Sequence, residues 1–387
     1  SRIMKHIVYI NYEYPPLGGG GGRAMSQIAS RMVNHDTRVS IITSAFNSLP
    51  SKENLNGCDI YRIPTLRRCQ EKCSIFEMVL FMISSLIFVP WIMRKQKMDV
   101  VVAFFTIPSG PSAWLLSRIK KCPLIISLRG GDVPGFMGSQ LSIYHHLMKP
   151  LIRFLWRQSA FVVANSNGLK NLARQTDPGI DYKVIPNGID LRLIKSVYDL
   201  RQRRTGNDEP FIVLTAGRLS PQKSIETLIE GFDEFIKTTK LNALLWIVGD
   251  GPEMAKLDSL IKKLNLSDKV VFWGWKRQEE LIDFYSKAHV FVLTSVNEGM
   301  PNVVLEAMKE GLPILATSVE GIEELVDEGL NGFVIAIKDS RALCQKLKIL
   351  AGDETLRYKM ACQSIHKVLA FDWQQITTSY EELCWPK

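Results

Sequence analysis

Two carboxylates eight residues apart, Glu298 and Glu306, close the run Glu298-Gly299-Met300-Pro301-Asn302-Val303-Val304-Leu305-Glu306. Glycine and proline beside the first acid mark a strand-to-helix junction, with Pro301 suited to the first helical turn and Glu306 further along the helix. Backbone amides across 299–303 would face an anion there, and Glu306 could accept hydrogen bonds from ribose hydroxyls. An ordinary charged turn explains either acid alone, but not glycine, proline and both acids at one junction.

A second group is Gly217-Arg218-Leu219-Ser220-Pro221-Gln222-Lys223, read as following a strand and opening a helix. Two cations at a helix N-terminus make a diphosphate clamp, because point charges and the helix dipole act together. Taken alone, the same residues also fit two solvated surface cations. A third group runs from Pro15 and Pro16 through Gly18, Gly19, Gly20, Gly21 and Gly22 to Arg23. Glycines between a first strand and a helix let backbone amides approach a phosphate or sugar closely. Gly19, Gly21 and Ala24 formally fit the dinucleotide pattern G-x-G-x-x-A. They lie well past the strand, however, and Ser44 and Ala45 stand where the ribose-binding acid belongs, so NAD is not expected.

Read in order, these runs resemble the retaining GT-B glycosyltransferases of family 4 (glycosyltransferase group 1) over nearly the whole chain. Between the glycine run and the cation group lie Arg129-Gly130-Gly131-Asp132, Ala164-Asn165-Ser166 and Pro186-Asn187-Gly188-Ile189-Asp190. After it come Gly249-Asp250-Gly251-Pro252, Phe272-Trp273-Gly274-Trp275, the two-acid run, Gly311-Leu312-Pro313 and Gly321-Ile322-Glu323-Glu324. Each motif is weak alone; their order and spacing make the match.

The resemblance implies two Rossmann-like doubly wound α/β domains facing a central cleft. It implies a nucleotide diphosphate sugar as donor, UDP favoured over GDP, bound by the second domain. Arg218 and Lys223 would hold the diphosphate, Glu306 the ribose, and the Trp275 backbone would lie near the base. Glu298 and the segment Gly299, Met300, Pro301, Asn302 and Val303 would contact sugar and phosphates, while Gly19, Gly20, Gly21 and Gly22 close over the cleft. Many members carry His where this chain has Arg129, and Arg cannot serve as a general base near neutral pH. Arg129 is therefore assigned to the acceptor side, with Asp132 taking over sugar contact. Many also carry Lys-Gly where Lys223-Ser224 stands, and Ser224 is expected to cap the helix. The chain contains no Asp-x-Asp to hold a divalent ion. Activity without metal is expected, the two cations supplying the charge. A GDP-mannose-dependent transferase and a nucleotide-sugar 2-epimerase on the same fold stay open as alternatives.

Those residues need elements to hold them. Short Val/Ile/Phe-rich runs at 6–12, 38–43, 99–105, 123–128 and 160–164 alternate with helical patterns, and the alternation restarts at 211–216, 243–248, 270–273, 290–293 and 313–316. This argues for parallel sheets with helices on both faces. The expected organisation is an acceptor-binding domain over 1–185, a nucleotide-sugar-binding domain over 186–370, and a helix at 371–387 packing back toward the first. The polar stretch 201–210 reads as part of the switch between halves.

Residues 74–93 are almost wholly apolar, Glu77 being the one charge, with basic residues on both sides. A plain buried helix, a membrane-dipping helix and a span all fit the length. Pro90, Glu77 and the surrounding α/β pattern argue against the span. Charge is uneven: residues 1–190 carry 23 Lys+Arg against 11 Asp+Glu, a net of +12, within a chain net of +9. That asymmetry suits something anionic. Basic residues are scattered and no nucleic-acid-binding motif is legible, so a lipid-linked or glycan acceptor and peripheral contact with an anionic membrane are expected, and nucleic acid is not. The seven cysteines form no C-x-x-C pair and read as reduced thiols. No secretory leader is legible, and Met4 reads as the natural start. The expected location is cytoplasmic, peripheral at the inner face of the cell membrane.

Overall fold

The computed structural model describes residues 4–69, 73–136, 142–192, 194 and 209–386, with no account of the side chains of 142–145. Most of the linker expected at 201–210 lies outside these residues, as does Lys72. The chain divides into two compact units: Ser1–Gly188 with Trp373–Lys387, and Ile189–Asp372.

The first unit is built on β1 (Lys5–Ile10), α1 (Gly20–Met32), β2 (Thr37–Ser44), β3 (Lys52–Leu55), β4 (Cys58–Ile63), α2 (Ile75–Met93), β5 (Val100–Phe104), α3 (Thr106–Lys120), β6 (Leu124–Ser127), α4 (Ser142–Gln158), β7 (Phe161–Ala164), α5 (Asn167–Thr176) and β8 (Tyr182–Val184). The strand order is β3-β4-β2-β1-β5-β6-β7-β8, parallel except for the β3–β4 hairpin. Central strands are apolar on both faces, as burial between two helical layers demands. In β1, Val8 and Ile10 join the core under α2, α3, α4 and α5, while Ile7 and Tyr9 join the core under α1.

The second unit contains β9 (Phe211–Ala216), α6 (Ile225–Thr239), β10 (Ala243–Val248), α7 (Met254–Lys263), β11 (Val270–Gly274), α8 (Gln278–Lys287), β12 (Val290–Leu293), α9 (Asn302–Lys309), β13 (Ile314–Thr317), α10 (Ile322–Leu325), β14 (Gly332–Ile335), α11 (Ser340–Gly352) and α12 (Glu354–Val368). Its sheet is wholly parallel in the order β11-β10-β9-β12-β13-β14. The chain then re-enters the first unit as α13 (Trp373–Cys384), whose Trp373, Ile376, Tyr380 and Cys384 share the α1-side core.

In both sheets the strand order reverses once, between β1 and β5 and between β9 and β12. Adjacent connections leave in opposite directions at such a point, and a crevice opens beyond the carboxyl ends of the strands.

Of the three readings left open for α2, one falls away. Residues 74–93 do not form a plain buried helix. Glu77, Phe81, Ser85, Val89 and Met93 turn inward at four-residue spacing, while Phe76, Ile87 and Trp91 are 62%, 64% and 59% exposed. The sheet and α3 cover only one side of α2, and the apolar composition continues onto the other. The start of α2 is fixed by Ser74, whose Oγ accepts from the Glu77 amide while the Glu77 carboxylate accepts from the Ser74 amide.

Candidate active site

The second unit assembles its site at the reversal between β9 and β12. β9 ends at Ala216, and Gly217-Arg218-Leu219 follow beside Gly249-Asp250-Gly251, which leave β10. Val248 pairs with Ala216, so the two loops run out together, and the Leu219 amide donates to the Asp250 carbonyl at 2.9 Å. A Cβ on Gly249 would stand 1.9 Å from the Gly217 carbonyl oxygen, and one on Gly251 2.3 Å from that of Leu219. These glycines are there because backbone lies against backbone. Among the described residues no carboxylate pairs with Arg218, a half-buried residue.

Lys223 lies in the 3-10 turn Pro221–Lys223 rather than in the first turn of α6. Ser224 separates the two in a left-handed conformation, φ 46°. That conformation is awkward for any residue with a Cβ, which is the physical reason a glycine suits this place. The expected cap is absent: Ser224 Oγ meets Thr227 Oγ1 at 2.9 Å and makes no capping bond to α6.

The cation and the first acid meet. Lys223 Nζ donates to Glu298 Oε1 at 2.5 Å, and Ser295 Oγ donates to the same oxygen at 2.6 Å. The surrounding backbone is laced: the Val296 amide donates to the Gln222 carbonyl, Gln222 Nε2 to the Asn297 carbonyl, and Thr294 Oγ1 to the Lys223 carbonyl. Glu298 is buried, as are Gly299, Met300 and Pro301. Gly321, at φ 80°, brings its Cα against this loop, where a Cβ would come within 2.6 Å of the Gly299 carbonyl oxygen. The Met300 side chain belongs to the core, and α9 begins at Asn302 directly after Pro301. Val303 packs partly buried against that core.

Glu306, one turn into α9, is held by two residues that no motif indicated. Tyr285 Oη donates to Glu306 Oε2 at 2.9 Å, and Gln278 Nε2 donates to Oε1 at 3.3 Å. Tyr285 is buried, which raises its phenol far above the ordinary range, with the Glu306 charge adding to the effect. Its signal in the sequence was only that of a core aromatic on amphipathic α8. Trp275 follows β11 and is 60% exposed.

In the first unit, α1 begins at Gly20, so Gly20, Gly21 and Gly22 form its first turn. Packing alone accounts for two of them: a Cβ on Gly21 would sit 2.6 Å from the Phe105 ring and one on Gly22 3.1 Å from the Glu13 carbonyl oxygen. Gly19 faces open space, its amide donating to Glu13 Oε2 at 3.2 Å. Burial raises the Glu13 carboxyl, and the Gly19 amide opposes that shift.

Asp132 is buried and organises backbone. Its Oδ1 accepts from the Arg129 and Gly130 amides, and its Oδ2 from the Thr106 amide at 2.7 Å and Thr106 Oγ1. Burial raises its carboxyl while these bonds pull it down. Arg129 turns inward: it lies over Phe104 at 5.1 Å and donates to Asn187 Oδ1 and Ser127 Oγ. Ser127 Oγ also meets Tyr380 Oη at 2.7 Å, so Arg129 and Ser127 tie α13 and the Asn187 loop to the sheet. These contacts were not indicated by its sequence position. Phe105 holds φ 68° beside this cluster, a strained value for an aromatic residue.

Two doubly wound α/β units in one chain are the GT-B glycosyltransferase architecture. Sucrose-phosphate synthase from Thermosynechococcus elongatus superposes with TM-score 0.85, 22% identity and 98% of both chains covered. Anabaena HepE in complex with UDP-glucose superposes with TM-score 0.75, 21% identity and coverage of 97% and 98%. The chain belongs to the glycosyl transferases group 1: that family model matches residues 198–366, and the model of Glycosyltransferase Family 4 matches 18–193. Among characterised relatives, N-acetyl-alpha-D-glucosaminyl L-malate synthase of Bacillus anthracis is 24% identical over 376 residues, 96% of this chain and 94% of that one. The protein is a glycosyltransferase.

Proposed function

We propose that the protein is a retaining, metal-independent hexosyltransferase. It moves a hexosyl or N-acetylhexosaminyl group from a UDP-sugar, bound by the second unit, to a lipid-linked or glycan acceptor bound by the first, in cell-surface polysaccharide or glycoconjugate synthesis. The observation that carries the reading is the grouping of Arg218, Lys223, Glu298 and Glu306 at the strand reversal of the second unit. UDP is favoured because one relative is a UDP-Gal:alpha-D-GlcNAc-diphosphoundecaprenol alpha-1,3-galactosyltransferase and a structural neighbour is in complex with UDP-glucose.

In the proposed reaction the bond between the anomeric carbon and the donor phosphate breaks while the acceptor oxygen bonds to that carbon. The acceptor proton passes to the departing phosphate oxygen on the same face. Negative charge grows on the diphosphate, so fixed cations lower the barrier more than they tighten ground-state binding. Arg218 is the cation without a carboxylate partner among the described residues. Lys223 exchanges Glu298 for phosphate, which releases Glu298 toward the sugar. Glu306, oriented by Tyr285 and Gln278, takes the ribose.

Thermal unfolding with UDP, GDP, ADP and NAD tests the donor. A ligand that binds only the native state adds ~2.7 kcal/mol at a hundred times its dissociation constant. UDP alone is expected to raise the melting temperature. A rise with GDP alone would move the reading to a GDP-sugar, and a rise with NAD alone would overturn it. Transfer is also expected to persist in excess EDTA, with the donor anomeric configuration kept in the product by NMR. Strict dependence on added Mg²⁺ or Mn²⁺, or an inverted product, would sink this mechanism. Epimerised nucleotide sugar formed without acceptor would favour the isomerase reading. The first unit's charge and the apolar α2 favour a lipid-linked acceptor and peripheral membrane contact over a soluble anionic one, since charge alone would leave α2 unexplained.

A further inference from the structure

Four helices, α2, α3, α4 and α5, cover one face of the first unit's sheet. Their sequences contain a single acidic residue, Glu77, and its carboxylate is spent on the Arg68 and Ser74 amides. The outward side of α2 presents Phe76, Val79, Ile83, Ile87 and Trp91, a stripe of exposed apolar groups four residues apart from Val79 onward. Ile119 on α3 and Leu147 and Phe154 on α4 are exposed as well.

The carboxyl ends of these helices collect cations. Arg94, Lys95 and Lys97 end α2, and Arg118, Lys120 and Lys121 end α3. Lys120 Nζ donates to the Arg94 and Gln96 carbonyls at 3.0 and 2.9 Å, which brings the two clusters together. Arg118 donates to Gln158 at the end of α4, joining a third helix to the rim. Among the described residues none of these six cations pairs with a carboxylate. Asp99, at the same end, accepts from the His6 amide. Arg94 lies 5.2 Å over the exposed Trp91 ring, an aromatic and a cation side by side where the apolar stripe meets the basic rim.

We propose that this helical layer docks on an anionic lipid surface, with α2 lying in the plane of the interface. The stripe would enter the acyl boundary, Trp91 would sit at headgroup level, and the rim at the helix ends would meet anionic headgroups. The six rim cations, unpaired with carboxylates among the described residues, suit an anionic surface better than a second copy of the chain. A two-fold interface would set this layer against itself, and its helices offer no acid but Glu77, already bonded to the Arg68 and Ser74 amides, to answer those cations. The inference deepens the lipid-linked acceptor reading and rests on it for the purpose of docking.

The full chain sedimented with vesicles tests it. Binding is expected to vesicles of phosphatidylglycerol with phosphatidylcholine, to weaken with added salt, and to be slight with phosphatidylcholine alone. Ile83→Glu/Ile87→Glu, a change at exposed positions, is expected to lower vesicle affinity at least ~tenfold while the UDP-induced thermal shift stays. Lys95→Glu/Lys97→Glu is expected to do the same through charge. Failure of the unaltered chain to bind mixed vesicles, or unchanged binding by Ile83→Glu/Ile87→Glu, would overturn the proposal. So would a concentration-dependent dimer that Ile83→Glu/Ile87→Glu dissolves and vesicles do not compete. Vesicle binding without any nucleotide-induced shift would instead sink the donor reading and leave the docking surface standing.

Discussion

Lys223→Ala is expected to lower turnover at saturating donor by at least ~a hundredfold. Removing one preorganised group that stabilises developing charge costs ~3–4 kcal/mol of transition-state stabilisation. The lysine has a second role, because its ammonium lies 2.5 Å from Glu298 Oε1 and both side chains are mostly shielded from water. Removing it leaves a shielded carboxylate whose remaining side-chain partner among the described residues is Ser295 Oγ, a fault worth ~1–3 kcal/mol of folding stability. The two effects separate experimentally. Lys223→Ala/Glu298→Gln removes the orphaned charge and should recover melting temperature but not turnover. A Lys223→Ala enzyme only a few times slower than the original would mean that Lys223 serves Glu298 and not the leaving group.

Gly249→Ala should be the most damaging single methyl in the second unit. The residue holds φ 140°, and the added carbon would stand 1.9 Å from the Gly217 carbonyl oxygen, which belongs to backbone and cannot rotate away. The unfavourable dihedral costs ~1–2 kcal/mol and the overpacking ~1–3 kcal/mol. A loss of ~2–5 kcal/mol follows, roughly 5–15 °C in melting temperature for a unit of this size. The displaced strand end carries Arg218, so the nucleotide-induced shift should shrink with it. Gly352→Ala is the control, since its added carbon meets nothing within 4 Å. Equal melting temperatures for the two variants would show that the loops after β9 and β10 do not touch.

Much of this protein was legible before any coordinates. The period of apolar runs gave two parallel sheets because burial on both faces leaves no polar alternation in a central strand. Gly249, Gly251 and Gly321 were picked out by the family resemblance, and the structure gives the reason: backbone contact there admits no side chain. The β3–β4 hairpin escaped notice, since Lys52–Leu55 is exposed and polar and so carries no burial pattern.

Tertiary structure alone decided who meets whom. Lys223 and Glu298 are 75 residues apart and touch because β9 lies beside β12. Strand order is a property of crossover connections, which local periodicity does not record. Tyr285 looked like any core aromatic until α8 and α9 were set side by side, which put its hydroxyl on Glu306. Arg129 was assigned to the acceptor side from its motif, and only the folded chain shows its guanidinium on Ser127 Oγ, the hydroxyl that Tyr380 of α13 also meets. Composition marked α2 as apolar all round, yet composition does not say how many neighbours a helix has; the sheet and α3 cover one side, and Phe76, Ile83, Ile87 and Trp91 on the other are exposed. A sequence states what each residue can do through its own backbone and side chain. Pairing between distant residues, and burial against distant surfaces, are set by the packing of the whole chain.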